Sequence, residues 1–416
     1  MNQAFTQSLR LLATRRFGTF WFASLLSNIG TWSQQVAQPW LLLSLGASPF
    51  LLGLDNFAMG APVFLLTLVG GALADRLDRR RIIVRFQSAQ MLCPVLLVLL
   101  ILTGQTQPWM VIVLSLVVGI TDALSMPSFQ TIVPSIVARE NIPTGIALNA
   151  TQFNLSRILG PSLAGVLMAG AGVAWAFAVS AASYIPFILV ALWVLPRQPA
   201  RRSTSDPALS PGQLWTGIRA VLAQPALRGA LLTVLGTSLL CAPLITFCPL
   251  LVKTVLAGDV SQFSVNMSAF GVGGLLGAVG MMSVPPARDR RPYSAWMAAS
   301  YGVIVILAAL NDWPWALPLL FTGAGITMTV SNTSANAFLQ LLSPEHLRGQ
   351  TVSLFMLAMR GGMAIGSLLT GLSISHLGLR PALLLNGVLA LLIQLTLGHF
   401  WRQADLPMAA QPGTAD

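Results

Sequence analysis

The sequence predicts an all-α integral membrane protein, with twelve membrane-spanning helices in two pseudo-symmetric six-helix bundles. Three observations lead there. The 416 residues are 55% hydrophobic and only 8% charged, with a mean hydropathy of +0.75, whereas soluble domains carry about 25% charged residues. Apolar runs near or above the roughly 20 residues needed to cross hydrocarbon recur from end to end. They lack the two-residue alternation of barrel strands, which leaves helices as the way to satisfy every backbone group in lipid. Finally, one long polar connection divides the runs into two sets of six.

The elements follow in order. A first bundle, residues 1–196, holds spans at 17–45, 49–75, 82–103, 108–134, 142–170 and 173–195. Residues 197–225 form a linker that contains Arg201-Arg202-Ser203-Thr204-Ser205-Asp206-Pro207 and Ser210-Pro211-Gly212. This composition marks a solvated connection, with a short amphipathic helix expected around Leu214–Leu222. The second bundle, 226–402, holds spans at 226–256, 260–284, 292–311, 314–341, 349–376 and 380–401, and 403–416 is a tail. The bundles echo each other: Gly160-Pro161-Ser162-Leu163-Ala164-Gly165 in the fifth span matches Gly366-Ser367-Leu368-Leu369-Thr370-Gly371 in the eleventh.

Charge patterning orients the chain. The net charge of +11 resides in short loops, so it is a topology signal and not a nucleic-acid footprint. Arg10, Arg15, Arg16, Arg76, Arg79, Arg80, Arg81, Arg139, Arg201, Arg202, Arg290, Arg291 and Arg348 all fall on one side, and the alternate loops hold little beyond Lys253 and Arg380. The positive-inside rule then makes both termini and the linker cytoplasmic. No cleavable signal peptide is expected, since the first apolar run is too long and no small-residue site follows it. Cys93, Cys241 and Cys248 lie inside apolar runs without metal-ligand or redox spacing. No metal site, cofactor, phosphate-binding loop or catalytic motif is expected, which excludes an ATP-driven pump and argues against an enzyme.

The most informative stretch is Gly71-Ala72-Leu73-Ala74-Asp75-Arg76-Leu77-Asp78-Arg79-Arg80-Arg81, a basic loop between the second and third spans. It resembles the signature loop of the major facilitator superfamily. Further matches carry the resemblance across nearly the whole chain, toward the enterobactin-exporter-like branch of bacterial exporters. They are Leu26-Ser27-Asn28-Ile29-Gly30 with Pro39-Trp40, Ile146-Ala147-Leu148-Asn149 through Arg157 to Gly160-Pro161, and Leu347-Arg348-Gly349. Thr31 departs from that pattern, standing where an acid often follows the first-span glycine. The resemblance implies a monomeric exporter in the bacterial inner membrane, usually proton-coupled, with a midplane substrate site between the two bundles. Siderophore-like molecules lead and drug-like ones follow. An importer or uniporter is the same-class alternative, and a non-transporting receptor or assembly partner the different-class one. The resemblance also implies that the loop is a gate tying the second span to the eleventh, through Gly71, Asp75, Arg76, Arg79 and Arg80; the bland alternative is a topology anchor.

Charges within spans demand a reason, because each costs about 2.5–3.5 kcal/mol at a helix centre. Asp122, Arg157 and Arg360 all fall near mid-depth. Asp122 and Arg157 lie on consecutive spans and are expected to meet, as a proton-coupling pair or as a static one. Arg360 has no carboxylate within a span of its own half, so it is expected to attract an anionic substrate group. Its alternatives are capping carbonyls freed by Gly361-Gly362, or borrowing Asp122 across the interface. Asp55, nearer the outer end of its span, is expected to be wet and is a lesser proton-coupling candidate. Asn28, Thr31, Gln35 and Gln38 share one face of the first span, as Thr329, Asn332, Asn336 and Gln340 do of the tenth. Those faces, with Trp32 and Trp40, are the expected substrate cavity, interhelical hydrogen bonding being the competing use.

Overall fold

The computed structural model describes residues 2–195, 211–285, 289–344 and 347–402, and among them the secondary structure is helical throughout. A surface helix, α1 (Asn2–Leu12), precedes α2 (Arg15–Ser44), α3 (Pro49–Arg76), α4 (Arg79–Leu102) and α5 (Pro108–Gln130), the last extended by α6 (Ile132–Ile136). Then come α7 (Ile142–Ala171) and α8 (Val173–Val194). The linker prediction falls on 197–225, of which 197–210 lies outside the described residues; its remainder forms α9 (Pro211–Ala223). The second half contains α10 (Pro225–Leu240), α11 (Pro243–Thr246), α12 (Cys248–Leu250), α13 (Val260–Met282), α14 (Arg291–Leu310), α15 (Leu317–Leu342), α16 (Arg348–Met356), α17 (Gly362–Leu377) and α18 (Leu379–Arg402). Residues 403–416, the expected tail, lie outside the described residues.

Eight helices are long and apolar enough to cross a membrane on length and composition alone. The equally long α2, α3, α7 and α15 complete twelve. The seventh and eleventh spans are not continuous α-helices. Pro243 and Pro249 remove backbone donors, and the seventh span breaks into α11, α12 and a π segment at Leu251–Val255. In the eleventh, a π segment at Leu357–Gly361 links α16 to α17 and carries Arg360. Such insertions re-aim side chains and concentrate at functional sites.

Two seams join the halves: α3 packs on α17, and α7 on α13. Small residues permit the approach. A Cβ on Gly53 would lie 2.4 Å from the Ser367 carbonyl oxygen, and one on Gly271 would lie 2.7 Å from that of Arg157. Toward the face opposite the N-terminus, the seams are closed by Trp40 stacked on Phe263 at 5.7 Å. Asn56 donates to Thr246 at 3.1 Å, Lys253 donates to the Leu43 carbonyl at 3.3 Å, and Ser162 pairs with Ser268 at 2.8 Å.

Candidate functional site

Arg360 and Asp122 form the central feature. The Arg360 Nη1 donates to Asp122 Oδ2 at 2.9 Å, so the ion pair joins the π segment of one half to α5 of the other. Of the contacts between halves named above, it lies nearest the N-terminal face. The pair expected from sequence, Asp122 with Arg157, does not form. Consecutive spans are not neighbours here: α5 packs on α3 and α4, whereas α7 packs on α2, α8 and α13. Nor does Arg360 turn to the carbonyls beside Gly361-Gly362; its guanidinium is committed to the carboxylate.

Arg157 instead lies between two aromatic rings. Its Cζ is 5.4 Å from the Trp32 ring centroid and 5.2 Å from that of Phe270. Trp32 belongs to α2 of the same half, Phe270 to α13 of the other. Trp32 is itself held edge-on by Phe153 at 5.8 Å.

Asp55 is buried, at 6% exposure, where the sequence reading expected it to be wet. The helix end does not expose it, because α2 and α5 close over the side chain. Gln38 Nε2 donates to Oδ1 at 3.0 Å and Oδ2 at 2.8 Å, and Ser115 Oγ donates to Oδ1 at 2.5 Å. Gln38 is therefore spent on this cluster, away from the expected cavity. Ser115 is the residue the sequence reading missed. It lies seven positions before Asp122, on the same face of α5, and that spacing was the available signal.

The remaining polar face of α2 divides. Thr31 donates to the Ser27 carbonyl at 3.0 Å and meets the Tyr184 hydroxyl at 3.3 Å. Gln34, absent from the expected set, accepts from Ser180 at 2.9 Å. Asn28 and Trp32 are half-buried, and Gln35 is exposed. On α15, Asn336 accepts from Gln340 at 3.1 Å, and the half-buried Asn332 has a sealed Oδ1 without a hydrogen-bond partner among the described residues. Interhelical bonding thus claims part of the α2 face, whereas the Asn336–Gln340 bond stays within α15.

In the basic loop, α3 runs to Arg76, and the surroundings of Gly71 and the side chains of Asp75 and Arg76 lie outside the described residues. Arg79 and Arg80 open α4. Asp78 caps that helix by accepting from the Arg80 amide at 3.1 Å, and pairs with Arg81 at 3.8 Å.

Comparison with known proteins places the chain in a family. The profile of the transmembrane secretion effector family matches residues 6–412. The enterobactin exporter EntS of Escherichia coli K12 is 27% identical over 411 residues, covering 96% of this chain and 97% of the relative. That of Escherichia coli O157:H7 is 27% identical over 424 residues, covering 99% of this chain and 100% of the relative. Among solved structures, the nucleoside transporter NupG superposes with a TM-score of 0.77 at 13% identity, covering 94% of this chain and all of that one. A bacterial homologue of the human lysosomal transporter Spinster, inward-facing and occupied, gives 0.72 at 15% identity over 96% and 98% of the two chains. At these identities the structures establish the fold alone.

Proposed function

The chain belongs to the transmembrane secretion effector family, multi-pass membrane transporters of the major facilitator kind, and on that premise we propose that it is a proton-coupled exporter working by alternating access. The cargo we assign is a small organic molecule, siderophore-like first and drug-like second. The relation to an enterobactin exporter over 96% of the chain supports that order. We place the protein in the bacterial inner membrane as a monomer with both termini cytoplasmic, which the arginine-rich loops on one side support.

The Arg360–Asp122 pair carries the reading. It is an ion pair at mid-depth between the two halves, where charge is costly and needs a purpose. Among the described residues, the hydrogen bonds and ring contacts between the halves lie at that depth or toward the face opposite the N-terminus, which supports an inward-facing arrangement with the outer side shut. Opening the outer side moves α17 away from α3 and must part the pair. A proton on Asp122 removes its charge and frees Arg360, so one event both loads the coupling ion and releases the halves. We reserve gating on the cytoplasmic side for Gly71, Asp75, Arg76, Arg79 and Arg80. Asn28, Trp32, Gln35, Asn332 and Asn336 supply the uncharged cavity wall, and Thr31 braces it through Tyr184.

The test is flux in proteoliposomes with and without an imposed pH gradient, using enterobactin and, separately, ethidium. Gradient-driven movement of either supports export, and enterobactin alone supports the siderophore reading. Movement that ignores the gradient rejects proton coupling; movement of neither rejects both cargo classes.

A further inference from the structure

We infer that Arg157, rather than the ion-paired Arg360, is the anion-recognition residue, and that its site takes a carboxylate or similar monoanion attached to an aromatic or apolar group. The inference rests on the transport reading for its purpose but not for its test.

Three ionised side chains occupy mid-depth, and the ion pair satisfies two of them. Arg157 has no carboxylate and no hydrogen-bond acceptor among the described residues; its neighbours are the rings of Trp32 and Phe270. Aromatic faces attract a cation but cannot neutralise it or use its donors. Arg157 is half-buried as a residue, and none of its nitrogens is among the sealed, unpartnered polar atoms.

The floor of the site is Gly274, on α13 one turn beyond Phe270. The point where a Cβ would stand on Gly274 is 3.7 Å from Arg157 Nη1 and 3.2 Å from Thr329 Oγ1. The missing side chain therefore lets a guanidinium from one half and a hydroxyl from α15 of the other approach the same bare stretch of α13 backbone. An oxyanion lodged between these two groups would be offered a donor from each half, and charge-assisted bonds of this kind are the strong ones. Thr329 belongs to the polar face of α15, and its hydroxyl has no hydrogen-bond partner among the described residues. The buried Tyr301 hydroxyl, also unpartnered there, lies within electrostatic range of the same guanidinium. The rings beside Arg157 then suit the apolar body of the ligand, by stacking and by excluding water. Because the donors come from different halves, the site exists only while the α7–α13 seam is closed at this depth.

The test is calorimetric binding to the purified full chain in detergent, with 1-naphthoate as the anion and 1-naphthamide as its neutral isostere. Wild type should prefer naphthoate. Arg157→Gln should weaken naphthoate at least tenfold and leave naphthamide unchanged, and Arg157→Lys should recover part of the loss. Gly274→Ala, which crowds both donors while retaining the charge, should also weaken naphthoate, and it stands as the independent variant if Arg157→Gln fails to fold. Arg360→Gln, which loosens the halves but leaves both donors in place, should weaken naphthoate far less than Arg157→Gln. Equal affinity of wild type for the two probes, no binding of either, or a naphthoate loss in Arg360→Gln that matches the one in Arg157→Gln, overturns the inference. Normal naphthoate binding without flux in vesicles would instead count against the transport reading alone.

Discussion

Asp122 and Arg360 meet 2.9 Å apart, yet belong to opposite halves of the molecule and are separated by most of the second bundle in sequence. Their side chains are 44% and 35% exposed, so the pair is only partly desolvated. A pair this open contributes at most about 1 kcal/mol to folding. Its consequence should appear in transport. Asp122→Asn is expected to fold with a thermal midpoint close to wild type, to lose at least tenfold in flux, and to lose the response to an imposed pH gradient. Arg360→Gln should reduce flux similarly. The exchanged pair, Asp122→Arg with Arg360→Asp, should recover part of the flux but not the original gradient response. Vesicle flux beside thermal unfolding in detergent checks this, and full gradient-driven flux in Asp122→Asn would remove Asp122 from the coupling step.

Asp55 gives the opposite expectation, since its cluster is closed. A buried acceptor that loses its donor costs about 1–3 kcal/mol, whereas replacing both partners with apolar groups of similar shape is close to neutral. Gln38→Leu strips two hydrogen bonds from the Asp55 carboxylate and should lower the unfolding midpoint clearly. The double variant Gln38→Leu with Asp55→Leu should be more stable than Gln38→Leu alone. Thermal unfolding of the two variants decides it; an additive loss would mean that the cluster is not a closed unit.

The span boundaries were legible because each apolar run must cover the same hydrocarbon thickness, and α3 and α4 begin and end within three residues of expectation. The breaks at Pro243 and Pro249 were visible as prolines, but not the π segments that contain Lys253 and Arg360, which depend on tertiary packing. Side-chain partners were the least legible. Asp122 and Arg157 are close in sequence and lie on helices without a shared face, while Arg360 reaches Asp122 because α3 brings the π segment to α5. Helical periodicity assigns Gln38 and Gln35 to one stripe; it does not say that the first is buried against Asp55 and the second exposed.

The basic loop contains two aspartates that should separate by readout. Asp78 caps α4 through the Arg80 amide, and loss of such a cap costs about 1 kcal/mol. Asp78→Ala should therefore lower the unfolding midpoint by a few degrees with flux largely kept. Asp75→Asn, in the gate we assign to the cytoplasmic side, should keep its midpoint and lose flux several-fold. Measuring both quantities on both variants tests the assignment. If Asp75→Asn transports like wild type, the loop is a topology anchor.

The seam between α3 and α17 should set the balance between the two arrangements of the halves. Gly53 lies against the backbone of Ser367, and a backbone carbonyl cannot swing aside as a side chain can. Gly53→Leu must therefore part the seam on the face opposite the N-terminus. Trp40 and Phe263, stacked at 5.7 Å on that face, supply the reporter positions. The double variant Trp40→Cys with Phe263→Cys should cross-link readily with a short bifunctional thiol reagent. The native Cys93, Cys241 and Cys248 are buried and should not compete. Adding Gly53→Leu should cut the cross-link several-fold. Gly170→Leu is the control, because a Cβ at Gly170 meets nothing within 4 Å; it should leave the yield unchanged. A cross-link indifferent to Gly53→Leu would mean that closure of this face does not depend on the close approach at Gly53, and that the α7–α13 seam holds the halves together without it.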